Sequence, residues 1–115
     1  MSTSISLSQL ESHVFDTEVY LEGGLWNLWQ LIKLQPAKWY LPHFNHETEC
    51  WIVAIFGSHV LWYNDIEEGF NISTFTKIGV IADYCVNQST LLSQLKWIQE
   101  MIISGVPGRP SNPFS

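Results

Sequence analysis

Residues 49–64 carry the pattern that most restricts how this chain can fold. An almost unbroken apolar run, Cys50-Trp-Ile-Val-Ala-Ile-Phe56, is followed by Gly57-Ser58 and then by His59-Val-Leu-Trp-Tyr-Asn64. β-Branched and aromatic side chains suit a pleated surface. Glycine at the first position of a two-residue loop favours a type II′ turn, whose twist matches that of the strands it joins. The segment therefore reads as a β-hairpin. Its loop length predicts the register: Phe56 opposite His59, Ala54 opposite Leu61 and Ile52 opposite Tyr63 on one face. The other face then pairs Ile55 with Val60, Val53 with Trp62 and Trp51 with Asn64. Both faces come out apolar, so both need a cover. The C-terminal helix is expected on one face; a helix over 25–35 or a second subunit is expected on the other.

The flanking sequence extends the hairpin into a meander. Asp65 to Gly69 reads as the next turn, with Gly69 taking a positive φ. Phe70 to Phe75 forms the next strand, in which Asn71 and Ser73 alternate against Phe70 and Ile72. Lys77 to Tyr84 predicts a further strand, with Gly79 as a bulge or a close-packing point. Upstream, Trp39 and Leu41 belong to a strand that Pro42 stops or confines to an edge.

Helical spacing appears in three places. Leu25, Leu28, Trp29 and Ile32 predict an amphipathic helix over 25–35 that ends before Pro36, with a strand buried on both faces as the competing reading. Ser6 and Gln9 have capping-box spacing for a short helix over 7–13, whereas the loose alternation from Val14 to Leu21 predicts a strand. Leu91, Leu95, Ile98 and Ile102, with Leu92, form one stripe, opposite Ser93, Gln94, Lys96, Gln99 and Glu100. Gly105 and Pro107 stand where such a helix ends, and the Pro/Gly tail over 105–115 is expected to be irregular. The fold class is thus α+β: a single domain over 1–115, an antiparallel meander of about four to five strands with a C-terminal amphipathic helix and one or two N-terminal helices.

Composition narrows the function. The chain has 115 residues, near the commonest domain size, and needs neither disulfide nor metal to hold a core. No apolar run approaches the ~18 residues of a membrane span. The N-terminus shows neither a basic nor an apolar signal region, and Cys50 and Cys85 read as reduced thiols, so a cytoplasmic location is expected. Net charge is −6 with five basic residues, Lys33, Lys38, Lys77, Lys96 and Arg109, scattered along the chain. That distribution excludes nucleic acid as the expected partner, because counterion release needs clustered Lys and Arg. Phosphate-binding loops, nucleophile elbows and dinucleotide fingerprints have no match. No cofactor is expected.

Three groups of residues are candidates for chemistry. His43, His46 and Cys50 lie within eight positions and are the most metal-like stretch, but the second pair of ligands usual in zinc sites has no counterpart, and a polar loop is the preferred reading. Cys85, just before a helix start, sits where a thiol pKa falls, yet no motif ties it to a histidine. Tyr63, Asp65, Glu67 and Glu68 gather at one turn. Around them, residues 47–68 hold five acids and residues 1–25 four more, and neither stretch contains Lys or Arg. An acidic surface beside Trp and Tyr is what a basic protein partner requires.

The segment Leu61-Trp-Tyr-Asn-Asp-Ile-Glu-Glu-Gly-Phe-Asn-Ile-Ser73 resembles one shared by small, uncharacterised bacterial single-domain proteins. Gly79, Ile81, Tyr84, Cys85 and Asn87-Gln88 are similar to the residues downstream of that segment in those proteins. The resemblance covers roughly the C-terminal half and implies no activity. Size and charge are also those of some immunity proteins that inhibit toxins, which is an analogy only. The expected function is a non-enzymatic protein-binding module of the immunity-inhibitor kind, acting on a basic toxin through Tyr63, Asp65, Glu67 and Glu68. The alternative is a small-ligand-binding or hydrolytic protein with its site at the same four residues. A homodimer is also expected, because six Trp, four Tyr and six Phe exceed what one small core needs. Its seam is expected near Trp26 and Trp29 or along Val106–Phe114.

Overall fold

A computed structural model describes residues 5–43, 46–83 and 88–104. In chain order they form α1 (Leu7–Glu18), α2 (Gly23–Ile32), β1 (Lys33–His43), β2 (His46–Phe56), β3 (His59–Asn64), β4 (Gly69–Thr74) and α3 (Leu91–Ser104). The strands pair antiparallel in the order β1-β2-β3-β4. This is the α+β meander with helices at both ends that the sequence predicts. No helix among the described residues is long and apolar enough to cross a membrane.

α1 opens on the predicted capping box. The Ser6 side chain accepts from the Gln9 backbone N–H, and the Gln9 side chain accepts from that of Ser6. The helix does not stop at residue 13, however. Val14 lies one turn beyond Leu10 and packs against the same core, so the apolar stripe continues and residues 14–18 are helical rather than the expected strand. α2 ends at Ile32, and Lys33 is already extended (φ −66°, ψ 149°). Residues 33–35, expected in the helix, belong to β1, where Pro36 favours an extended residue before it. Pro42 lies in β1, which is an edge strand, as expected.

The β2–β3 hairpin turns as predicted, with Gly57 at φ +59°. Phe56↔His59, Ile55↔Val60 and Ala54↔Leu61 pair in the predicted register. Beyond them the register slips by one, to Ile52↔Trp62 and Trp51↔Tyr63. Val53 is the extra residue of a bulge. The bulge overturns the expected pairs Ile52/Tyr63, Val53/Trp62 and Trp51/Asn64, and it decides the facing. Val53 and Ala54 both join the core under the helices, with Leu61 and Tyr63. Ile52 and Trp62 turn to the opposite face, with Trp39, Leu41, Cys50 and Val60.

All three helices contribute to the first core, through Leu10, Leu28, Trp29, Ile32, Leu91, Leu95 and Ile98. α2 and α3 therefore lie on the same side of the sheet, contrary to the expected division. The other face is met by Phe75 and Ile81. The Tyr40 N–H donates to Gly79 O (2.8 Å) and the Ile81 N–H to Tyr40 O (2.9 Å), while the Ala82 N–H donates to Thr74 O (2.9 Å). Residues 79–82 thus bond to β1 on one side and β4 on the other, joining the two edges of the sheet. A segment spanning between edges cannot also run along one. Over the described residues 77–83 the strand expected over 77–84 is reduced to isolated bridges, with Gly79 at φ +97°.

Three further expectations are corrected. The positive φ of the β3–β4 turn belongs to Glu68 (+56°), not Gly69. Gly69 is small for another reason: a Cβ there would lie 2.7 Å from Gln88 Cγ and 3.2 Å from Ser89 O. That close approach allows the reciprocal backbone bonds between Phe70 and Ser89. On α3, Gln94 is expected on the outer face but is buried, with its Nε2 donating to Phe70 O at 2.8 Å. Ile102, expected in the apolar stripe, is 59% exposed. The tail over 105–115 lies outside the described residues.

Candidate functional site

The β3–β4 turn is built by its own side chains. Asn64 Oδ1 accepts from the Ile66 and Glu67 N–H groups at 2.9 and 3.1 Å, the local bond that favours Asn at turns. Asp65 reaches outward to accept the Ile5 N–H at 2.7 Å, and Trp51 Nε1 donates to Ile5 O at 3.0 Å. Both backbone groups of Ile5 are engaged, and the start of α1 is held against the turn.

A cleft of about 540 Å³ lies between α1 and this turn, lined by His13, Asp16, Tyr63, Asp65 and Glu68 among others. A second cleft, of about 450 Å³, shares His13, Asp16, Tyr63 and Glu68 and extends to Gln88, Ser89 and Thr90 before α3. The two form one groove. Its described lining holds three carboxylates and neither Lys nor Arg.

Tyr63 is the centre of the groove. Its ring stacks on His13 (centroids 5.8 Å apart, planes at 19°) and meets Phe70 edge-on at 5.2 Å. Only 8% of the residue is exposed. Burial, with the negative fields of Asp65 and Glu68, holds its phenol above the ordinary tyrosine range. The hydroxyl has no hydrogen-bond partner among the described residues.

Of the four residues singled out from sequence, Tyr63, Asp65 and Glu68 line the groove, whereas Glu67 is exposed outside its described lining. His13 and Asp16 were not placed at this turn from sequence, Asp16 figuring only among the acids of residues 1–25. They lie three apart on α1 and so share a face, but that spacing carries no signal when residues 14–21 are read as a strand.

The remaining candidates separate. His43 and His46 stand opposite each other where β1 meets β2, their side chains outside the described residues, as is Cys85. Among the described residues, no group of three or more His, Cys, Asp and Glu side chains is placed to hold a metal ion. Cys50 is buried, and burial first, then Asp65 and Glu49, pushes its thiol up to about 12. A third cleft, of about 490 Å³, lies between α1 and the start of β1. Its Glu18 carboxylate is already engaged, accepting from Trp29 Nε1 at 2.6 Å with Lys33 Nζ 3.8 Å away. Lys33 lines that third cleft, whereas the described lining of the His13–Tyr63 groove holds no Lys or Arg.

No protein-family model, curated protein or solved structure matches this chain.

Proposed function

We propose that the chain is a cytosolic, non-enzymatic protein-binding module whose acidic groove receives a basic segment of a partner, as an immunity-type inhibitor receives a basic toxin. One observation supports this reading above the others: Asp16, Asp65 and Glu68 line a continuous groove whose described lining has neither Lys nor Arg. Like charges held together without counterions attract a cationic partner and speed its encounter. The hydrolytic alternative is less well served, because Cys50 is buried and His13 stacks on a ring rather than on a nucleophile.

The experiment is capture from the native cell with the full chain and with the Asp16→Asn/Glu68→Asn double variant as baits. A basic protein held by the first and lost with the second is the expected result. Identical capture by both baits overturns the proposal.

A second copy of this chain is the other partner we propose. α2 contains no charged residue from Gly23 to Ile32 and leaves Trp26 and Leu31 exposed, so a seam there avoids juxtaposing carboxylates. Trp29, expected in that seam, is buried in the core, and Val106–Phe114 lie outside the described residues.

A further inference from the structure

We infer that Asp65 and Trp51 form a receptor for the backbone of one extended residue, held within this chain by Ile5, and that an extended aliphatic segment of the protein partner takes the place of Ile5 there. The inference rests on the proposed function and names a part of the partner that its charge does not describe.

The bonds to Ile5 come as a matched pair. Asp65 Oδ1 accepts from the Ile5 N–H at 2.7 Å, and Trp51 Nε1 donates to Ile5 O at 3.0 Å. One residue thus gives both its donor and its acceptor, as it would to a neighbouring antiparallel strand. Here two side chains, 60 and 46 positions away, stand in for that strand. The half-buried Ile5 side chain packs against the core under the helices. Backbone bonds combined with a place for one side chain are the means by which proteins read extended peptides.

The receptor is also positioned without its occupant. Trp51 lies in β2 opposite Lys38 of β1, whose Nζ sits over the indole ring 5.1 Å from its centroid. Asp65 belongs to a turn shaped by Asn64, which accepts the Ile66 and Glu67 N–H groups. None of these contacts involves Ile5, so its departure leaves the donor and the acceptor in place. The occupant is separable in turn. Ile5 precedes α1, which starts on the Ser6–Gln9 capping box and is anchored by Leu10 and Val14. Ile5 can therefore detach without unwinding the helix, as a local opening.

Amide hydrogen exchange of the full chain is the first measurement. The Ile5 amide should exchange at least about tenfold faster than that of Leu10, which donates to Ser6 O within α1. Equal protection would tie Ile5 to global unfolding and overturn the inference. Trp51→Phe keeps an aromatic ring but removes the indole N–H, and should speed exchange at Ile5; an unchanged rate counts against the receptor. A blocked Ser-Ile-Ser tripeptide, which is uncharged, is then titrated by NMR into the parent and into Ile5→Pro, which lacks the N–H that Asp65 accepts. Binding about ten- to hundredfold tighter to the variant is expected, because the resident residue no longer competes with two hydrogen bonds. The same tripeptide with an ester oxygen in place of the isoleucine N–H should bind the variant about three- to tenfold more weakly, the effect of one hydrogen bond. Equal binding of the two probes, or no binding of either, would overturn the inference. A dimer formed by the parent but not by Ile5→Pro would assign the receptor to the Ile5 of a second copy and overturn the partner's segment as its occupant. Cellular capture that depends on Asp16 and Glu68, with no peptide binding, keeps the binding module and removes this receptor. Peptide binding with no captured protein keeps the receptor's chemistry and overturns the partner as its occupant.

Discussion

Asp65 accepts the backbone N–H of Ile5 at 2.7 Å, across sixty positions of sequence. The bond ties the approach to α1 to the β3–β4 turn, and it places the same carboxylate at the rim of the acidic groove. Asp65 is therefore structural as well as electrostatic. Asp65→Ala should destabilise the fold by about 1–2 kcal/mol, the range for a hydrogen bond to a charged acceptor that is only partly buried. Urea unfolding monitored by tryptophan fluorescence measures it. A loss no larger than that of an exposed acid such as Glu67→Ala would show that the bond contributes nothing.

Adjacent positions of the turn should respond with opposite signs. Glu68 holds φ +56°, a conformation that costs an ordinary L-residue on the order of 1 kcal/mol. Glu68→Gly should therefore be neutral or stabilise by up to about 1 kcal/mol, while weakening any cationic ligand. Gly69→Val should destabilise by about 1–3 kcal/mol, because its side chain enters the space of Gln88 and Ser89 and overpacking carries that cost. Thermal unfolding of the two variants reads both signs. A stable Gly69→Val protein would mean the Phe70–Ser89 pairing can move aside freely.

Alkaline pH should loosen the fold through Cys50. Its thiol is pushed from 9.0 up to about 12, so the native state keeps a proton that the unfolded chain releases. Stability is full below about pH 9 and falls as pH rises toward 12, by at most ~1.4 kcal/mol per pH unit for one proton. Tyr63, also raised, adds the same sign above its unfolded value. Urea midpoints from pH 8 to 11 should fall more steeply for the parent than for Cys50→Ala. Equal slopes would show that the thiol is accessible to water in the native state.

Self-association has a direct readout. Sedimentation at micromolar concentration should give a mass near twice 13.2 kDa, with an interface of at least ~1,000 Å², and Leu31→Glu should return the monomer by placing a charge in the seam. A concentration-independent monomer would leave Trp26 and Leu31 as ordinary exposed side chains.

The groove was half legible. Tyr63, Asp65 and Glu68 are close in sequence, and a turn keeps close residues together in space. His13 and Asp16 come from the other end of the chain. Their arrival depends on α1 continuing to Glu18 and on Ile5 being held by Asp65 and Trp51, neither of which a local pattern announces.

Local chemistry alone determined the elements that contain their own instructions. Ser6 and Gln9 cap α1 with each other, Gly57 turns the hairpin, and the stripe of Leu91, Leu95 and Ile98 makes α3 amphipathic. Each depends on residues within a few positions, where backbone geometry leaves few choices. Tertiary structure decided whatever depends on competition between distant partners. The bulge at Val53 chose which hairpin residues face the helices. Phe75 and Ile81, rather than the helix over 25–35, met the opposite face, because residues 79–82 bond to both sheet edges. α2 and α3 share one side for a related reason: the buried side chains of all three helices meet in a single core, an arrangement that helical periodicity cannot express, since it states which face of a helix is apolar but not what that face will meet.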